Sequence, residues 1–307
     1  MCTAKRQLAV RLPMMPRDAS ELGNISGGVI LSQIDLAAAI VSRKACQNMR
    51  INRMVTRAMN EVEFRHPVLV GDVLCCYGTI TRVGTTSVTV LVEVEADRHG
   101  QIIPVTEATA VFVALDENDK PTALCGHKPV AKPLVPEIKV DKIIASTPPP
   151  PAERGERIVA LKKYMMPNET NGMGNIFGGL LLTYMDWAGS YVARRACKNK
   201  VITRCVTRFM DKIEFKQPVH VNDIITCYGS VTKVGETSVS VHIEVEADRQ
   251  GKIIPVTQAD LVFVAVNKRG TKVSVACAES RSIRTSARKR KAATAAPAST
   301  CSCRVKN

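Results

Sequence analysis

Between residues 27 and 46 the apolar side chains fall at Leu31, Ile34, Ala38 and Val41, the recurrence of one helix face. The period then shortens. "VTVLVEVEA" at 88–96 alternates apolar with polar positions, the signature of an antiparallel strand with one wet face. Strands are expected over 53–65, 72–83, 86–98 and 101–115, rich in β-branched residues and separated by the turn signals "HPVLVGD", "RVGTT" and "DRHGQ". A short additional strand is expected before Met14. The pattern predicts an α+β unit, one long helix wrapped by an antiparallel sheet.

The same pattern is written twice. "MMPRDASELGNISGGVILSQIDLA" at 14–37 returns as "MMPNETNGMGNIFGGLLLTYMDWA" at 165–188, and the strands of 76–115 return at 227–266. The offset is 151 residues throughout, with no gap, so a whole domain is duplicated rather than a short solenoid unit. The second helix face carries Leu182, Met185, Gly189 and Val192. The expected organisation is domain one at 1–120, a linker at 121–155, domain two at 156–277 and a tail at 278–307. Four prolines at 148–151 mark the linker as stiff and extended.

Charge changes this picture only at the end of the chain. The formal net charge is +15, of which +7 lies in residues 279–307, "ESRSIRTSARKRKAATAAPASTCSCRVKN". That Ser/Thr/Ala-rich composition cannot build a core, so a disordered, solubilising tail is expected and nucleic acid is not an expected partner. The eleven cysteines include no CxxC pair, which suits reduced thiols in the cytoplasm better than a disulfide framework or a zinc site. No apolar run reaches the ~20 residues of a membrane-spanning helix. A cytoplasmic location is expected, with a short mitochondrial presequence as the alternative.

Each copy serves as a control for the other, because a shared constraint should occupy both positions. Histidine fails this test: His66 faces Gln217, His99 faces Gln250, Leu69 faces His220 and Leu91 faces His242. No metal-ligand spacing survives either, so no metal is expected. Ser26 faces Phe177 and is set aside. The pairs Arg53/Arg204, Thr56/Thr207, Arg57/Arg208, Glu63/Glu214 and Asp72/Asp223 repeat; the arginines and glutamates are expected to face solvent or a subunit contact, and the aspartates to serve turns.

One set resists a structural explanation: Asn24, Gly27, Gly28 and Asp35, matched by Asn175, Gly178, Gly179 and Asp186. Two glycines opening a helix each cost ~1 kcal/mol against alanine. Their expected benefit is a bare helix N-terminus whose N–H groups can meet an oxygen of a ligand. Asp35 and Asp186 lie two turns further on, among apolar residues, where an unpartnered carboxylate is expensive to bury.

These motifs, followed by "EFRHPVLVGD" or "EFKQPVHVND" and by "VTEATAVFVAL" or "VTQADLVFVAV", resemble the hotdog-fold acyl-CoA thioesterases, and the tandem arrangement is similar to their two-domain members. The resemblance spans about 8–118 and 158–270. It implies hydrolysis of fatty acyl-CoA without a cofactor, at two sites between the domains, and assembly of three tandem chains. It pairs Asn24 with Asp186 and Asn175 with Asp35, the aspartate acting as general base or as nucleophile. Gly28 or Gly179 would bind the thioester oxygen beside Gly27 or Gly178. Arg82, Gly84, Lys233 and Gly235 are the candidate contacts for CoA phosphates. Phe177 and Trp187 replace Ser26 and Leu36, so different acyl preferences are expected. Two rivals are an acyl-CoA-binding sensor whose basic tail contacts nucleic acid, and a hydratase, which the absence of a repeated histidine disfavours.

Overall fold

A computed structural model describes residues 5–20, 23–45, 53–116, 120–124, 155–171 and 174–276. The expected tail at 278–307 and nearly all of the linker, including its four prolines, lie outside the described residues. Each half opens with an edge strand, β1 (Gln7–Pro13) or β7 (Ile158–Tyr164), and one 3-10 turn. The long helix follows, α1 (Gly27–Ala45) or α2 (Gly178–Ala196). The first half continues through β2 (Arg53–Met59), β3 (Val62–Glu63), β4 (Val73–Val83), β5 (Ser87–Arg98) and β6 (Gln101–Leu115). The second repeats them as β8 (Arg204–Met210), β9 (Ile213–Glu214), β10 (Ile224–Val234), β11 (Ser238–Arg249) and β12 (Lys252–Val266). These are two hotdog units, each an antiparallel sheet folded around its helix.

The helix faces read from the sequence are the buried ones. Leu31, Ile34, Ala38 and Val41 have no exposed surface, and Leu182 and Met185 have none either. They pack on the inward positions of the sheet, Val88, Val90, Val92 and Val94 in β5 and Val239, Val241, Ile243 and Val245 in β11. Burial of this apolar area is the main stabilising term. On the outer face Arg6 spans Glu93 and Glu95 over the Tyr77 ring, and Arg157 does the same with Glu244, Glu246 and Tyr228.

One expected strand is broken. The 53–65 segment leaves its own sheet at Asn60, whose side-chain oxygen accepts from the Thr109 amide at 2.6 Å. Val62 and Glu63 then pair with Met210 and Phe209 of the other half, and Ile213 and Glu214 return the exchange to Met59 and Ala58. The sheet orders are β1-β4-β5-β6-β2-β9 and β3-β8-β12-β11-β10-β7, so each six-stranded sheet borrows its last strand. Arg57 and Arg208 are the extra residues of β-bulges opposite β6 and β12. A bulge re-aims its side chain. Here Arg57 meets Glu214 and the Phe215 carbonyl, while Arg208 Nη2 lies 2.8 Å from Glu63. The solvent or subunit role expected for these residues is therefore corrected: they join the two halves of one chain.

The two helices meet at their glycines. A β-carbon on Gly28 would lie 2.7 Å from Asp186 Cβ and 2.8 Å from Thr183 Cα, and one on Gly179 would lie 2.8 Å from Ser32 Cα. Backbone cannot retreat from such contacts, and overpacking of this kind costs about 1–3 kcal/mol. Gly28→Ala and Gly179→Ala are each expected to lower the melting temperature by several degrees, measured by differential scanning calorimetry on the full chain.

Candidate active site

Each half contributes a loop and a helix to two different places. Gly23 and Gly174 adopt φ of +75° and +86°, a left-handed conformation that glycine tolerates and other residues resist. The turn they make delivers Asn24 and Asn175 into β-bridges with Leu69 and His220, immediately before the helices begin. The helices then cross, so that the carboxylate of one arrives at the N-terminus of the other.

Asp35 has no exposed surface and Asp186 is 2% exposed. Thr56 Oγ1 donates to Asp35 Oδ1 at 2.7 Å, and the Gly179 amide, from the other half, donates to Oδ2 at 2.7 Å. Asp186 receives the corresponding bonds from the Thr207 hydroxyl and the Gly28 amide, and a third from Ser26 Oγ at 2.6 Å. Each carboxylate thus sits at the positive end of the other half's helix. Burial pushes Asp35 up to about 6, against the pull of the Thr56 and Gly179 hydrogen bonds. Burial also raises Asp186, opposed by Ser26, Thr207 and Gly28.

The glycine pairs therefore do something other than what the sequence suggested. The Gly28 and Gly179 amides expected to meet a ligand oxygen are engaged by the carboxylates. Gly27 and Gly178 admit threonine: their β-carbons would stand 2.8 Å from Thr207 Cβ and 2.9 Å from Thr56 Oγ1.

Two cavities open beside these carboxylates. One, of about 650 Å³, is lined by Asn24, Ser26 and Gly27 from the first half and by Asp186, Trp187, Arg204 and Thr207 from the second. The other, of about 920 Å³, is lined by Asn175, Phe177 and Gly178 with Leu36, Met54 and Thr56. Asp35 lies just behind that wall, its Oδ2 3.2 Å from where a Gly178 β-carbon would be. Thus Asn24 shares a cavity with Asp186, whereas Asn175 shares one with Thr56, behind which Asp35 is hydrogen-bonded. The Asn175 side chain is buried, and its Nδ2 donates to no protein acceptor.

The phosphate-contact residues are not brought there. Arg82, Gly84, Lys233 and Gly235 belong to the β4–β5 and β10–β11 hairpins, and neither cavity has them on its wall. The lysines and arginines on the cavity walls are Arg17, Arg65, Arg204, Arg208 and Lys272 near Asn24, and Arg43, Arg57 and Lys216 near Asn175. Arg204 Nε is buried without a protein acceptor, and desolvation lowers the pKa of that guanidinium.

Ser26 is the residue that matching one copy against the other passes over. Such matching keeps only what is repeated, and Ser26 is replaced by Phe177. Thr56 and Thr207 do repeat, yet nothing in the sequence ties them to the aspartates. Asp72 and Asp223 are turn residues as expected: burial opposes ionisation, but paired bonds from Arg98 and Arg249 hold both below the usual carboxylate range. Among the described residues no group of three or more His, Cys, Asp or Glu could hold a metal ion.

A family model described as the thioesterase superfamily matches residues 22–103 and again 173–254. The chain belongs to the thioesterase superfamily. The matched segments include Asn24, Gly27, Gly28 and Asp35 in the first half and Asn175, Gly178, Gly179 and Asp186 in the second. The acyl-CoA thioester hydrolase YciA of Salmonella typhimurium is 35% identical over 127 residues, covering 40% of this chain and 92% of that protein. A hexameric hotdog fold thioesterase of Campylobacter jejuni, Cj0915, is 42% identical, covering 41% of this chain and 96% of its own, with a TM-score of 0.36. A putative oleoyl thioesterase of Lactobacillus plantarum covers 87% of this chain and 99% of its own, with a TM-score of 0.59 at 9% identity, a likeness of fold.

The buried Asp35 carboxyl makes stability depend on pH. Its folded-state value lies above the ordinary 3.8, so stability falls as pH rises from about 4 to about 6, and the full cost persists above that. A rise from 3.8 to about 6 corresponds to about 3 kcal/mol. Asp35→Asn is expected to raise the melting temperature at pH 8, and the gain should shrink as the pH is lowered to 5.

Proposed function

We propose that the chain hydrolyses fatty acyl-CoA to the free acid and CoA, at two sites that each combine the asparagine loop of one half with the helix aspartate of the other. The observation that carries this reading is the buried carboxylate seated on a foreign helix N-terminus beside an apolar cavity. A carboxylate kept there for stability alone would be a net cost, whereas a base raised by burial, Asp35 to about 6 and Asp186 in the same direction, is better matched to proton transfer near neutral pH. The acyl chain occupies the cavity. Asp186 or Asp35 takes a proton from water as the water oxygen attacks the thioester carbonyl carbon. The C–S bond then breaks, and the CoA sulfur leaves with the proton as a thiol.

Asn175 Nδ2, buried and without a protein acceptor, suits the carbonyl oxygen on which negative charge develops, and Asn24 is its equivalent. The 3′- and pyrophosphate groups of CoA are assigned to Arg17, Arg204 and Lys272 at one cavity and to Arg43 and Lys216 at the other. Both oxygens of each aspartate are already hydrogen-bonded, which favours the general base over direct attack. No cofactor takes part. Three chains, holding six hotdog units, form the proposed assembly, and light scattering should return about 100 kDa against 33.4 kDa for one chain.

A thiol-release assay across acyl-CoA chain lengths tests this function. Asp35→Asn and Asp186→Asn should each remove one site, and the double variant should lose at least ~100-fold in kcat/KM. Asp186→Asn, which retains the 920 Å³ cavity, should accept longer chains than Asp35→Asn, which retains the 650 Å³ one. In Asp186→Asn, activity should fall with an acid limb near pH 6. Undiminished turnover in the double variant would sink the assignment. Binding of acyl-CoA with no release by the wild type would favour the sensor.

A further inference from the structure

Beyond the two cavities, the second half holds a pair of thiols that the first half lacks. Cys197 caps the C-terminus of α2 and Cys205 is the second residue of β8, and their sulfurs stand 3.6 Å apart. In the first half the position of Cys205 is taken by Met54, which has no thiol to give. Cys197 is half-buried, with its Sγ 3.2 Å from the Ala193 carbonyl, and Cys205 is 5% exposed. Elsewhere among the described residues the free cysteines are Cys75, Cys76 and Cys227, all buried on strands.

We infer that Cys197 and Cys205 form a reversible disulfide on reaction with a hydroperoxide, a modification site on the wall of the Asn24 cavity. The first oxidation falls on Cys197, the more exposed sulfur. Its thiolate attacks one peroxide oxygen, the O–O bond breaks, and Cys197 becomes a sulfenic acid while the other oxygen leaves as water or an alcohol. The Cys205 sulfur then attacks the Cys197 sulfur, and the sulfenic hydroxyl departs with the Cys205 proton as water. Two thiols are oxidised by two electrons and one peroxide is reduced. Cys205 is placed for this resolving role by its 3.6 Å approach to the Cys197 sulfur; burial and the nearby Cys197 push its thiol up to about 12, so its proton must pass to the departing hydroxyl as the S–S bond forms.

The bond would act on the neighbouring site through elements already described. Cys205 is on the cavity wall, its carbonyl accepts from Ser190 Oγ of α2 at 3.0 Å, and Thr207, two residues along β8, donates to Asp186. Disulfide formation brings the sulfurs from 3.6 Å to about 2.05 Å and so draws β8 against the end of α2. Helix and strand are the two elements that position Asp186, and displacements of about 1 Å around a reacting group cost up to ~100-fold in rate. The cavity holding Asn175 shares neither sulfur. This consequence, unlike the disulfide itself, rests on the hydrolase reading.

The test uses the full reduced chain. Hydrogen peroxide treatment followed by non-reducing tryptic mass spectrometry should yield the peptides 196–198 (ACK) and 205–208 (CVTR) joined by a disulfide. The link should vanish with dithiothreitol and be missing in Cys197→Ser and Cys205→Ser. Peroxide should lower kcat/KM of Asp35→Asn by at least about twofold, reversibly, and leave Asp186→Asn unchanged. Absence of the joined peptides overturns the modification site, whatever the chain hydrolyses. Joined peptides with undiminished turnover in Asp35→Asn, or with equal losses in both variants, overturn the coupling to the cavity.

Discussion

Removing a carboxylate from water costs several kcal/mol even after the surroundings relax, and only well-aimed donors offset that cost. Asp35 and Asp186 receive theirs from the opposite half. The 2.7 Å bond from the Gly179 amide to Asp35 Oδ2, and its counterpart from Gly28 to Asp186, cannot form in a single hotdog unit. The helices must cross within van der Waals reach for a main-chain amide to touch a side chain of the other. That requirement makes Gly28 and Gly179 glycines and places a threonine over Gly27 and Gly178. The reciprocal ion pairs Arg57–Glu214 and Arg208–Glu63, and the exchanged strands Val62–Glu63 and Ile213–Glu214, hold the two units in the same register.

The duplication lets one chain carry two versions of the arrangement. Asp186 has a third donor in Ser26 and faces its cavity, whereas Asp35 has two and lies behind Thr56 and Gly178. Phe177, which takes the place of Ser26, contributes ring surface to the larger cavity in exchange for that hydroxyl. Trp187 lines the smaller cavity and Leu36 the larger, so each site joins one bulky residue from the second half with one smaller residue from the first. Two sites that differ in donor number, exposure of the carboxylate and volume have no physical reason to share a pH profile or a preferred chain.

Much of the fold was legible because helix and strand periodicities appeared twice at one offset. Leu31, Ile34, Ala38 and Val41 marked the helix face, and the valines of β5 marked the inward face of the sheet. The break after Met59 was not legible, since Val62 and Glu63 continue the strand-like composition while their partners are about 147 positions away in the other half. The Asn-Gly-Gly-Asp set stood out through its own cost. Its glycines suggest an opening for a ligand, but their freedom is used by a neighbouring helix and a threonine. Ser26 escaped because repetition filters out whatever distinguishes the copies. Arg82 and Lys233 stand out in the sequence by charge and turn context, but the hairpins carry them away from both cavities.

The central claim is that each aspartate acts with the asparagine of the opposite half. Paired double variants measure this directly by kcat/KM for acyl-CoA. Asn24→Ala with Asp186→Asn places both changes in one proposed site and should retain the turnover of the Asp186→Asn single variant, carried by the untouched site. Asn24→Ala with Asp35→Asn disables one residue in each site and should leave almost none. The opposite outcome, with turnover surviving in Asn24→Ala/Asp35→Asn and lost in Asn24→Ala/Asp186→Asn, would mean that each half works with its own aspartate and would contradict the account.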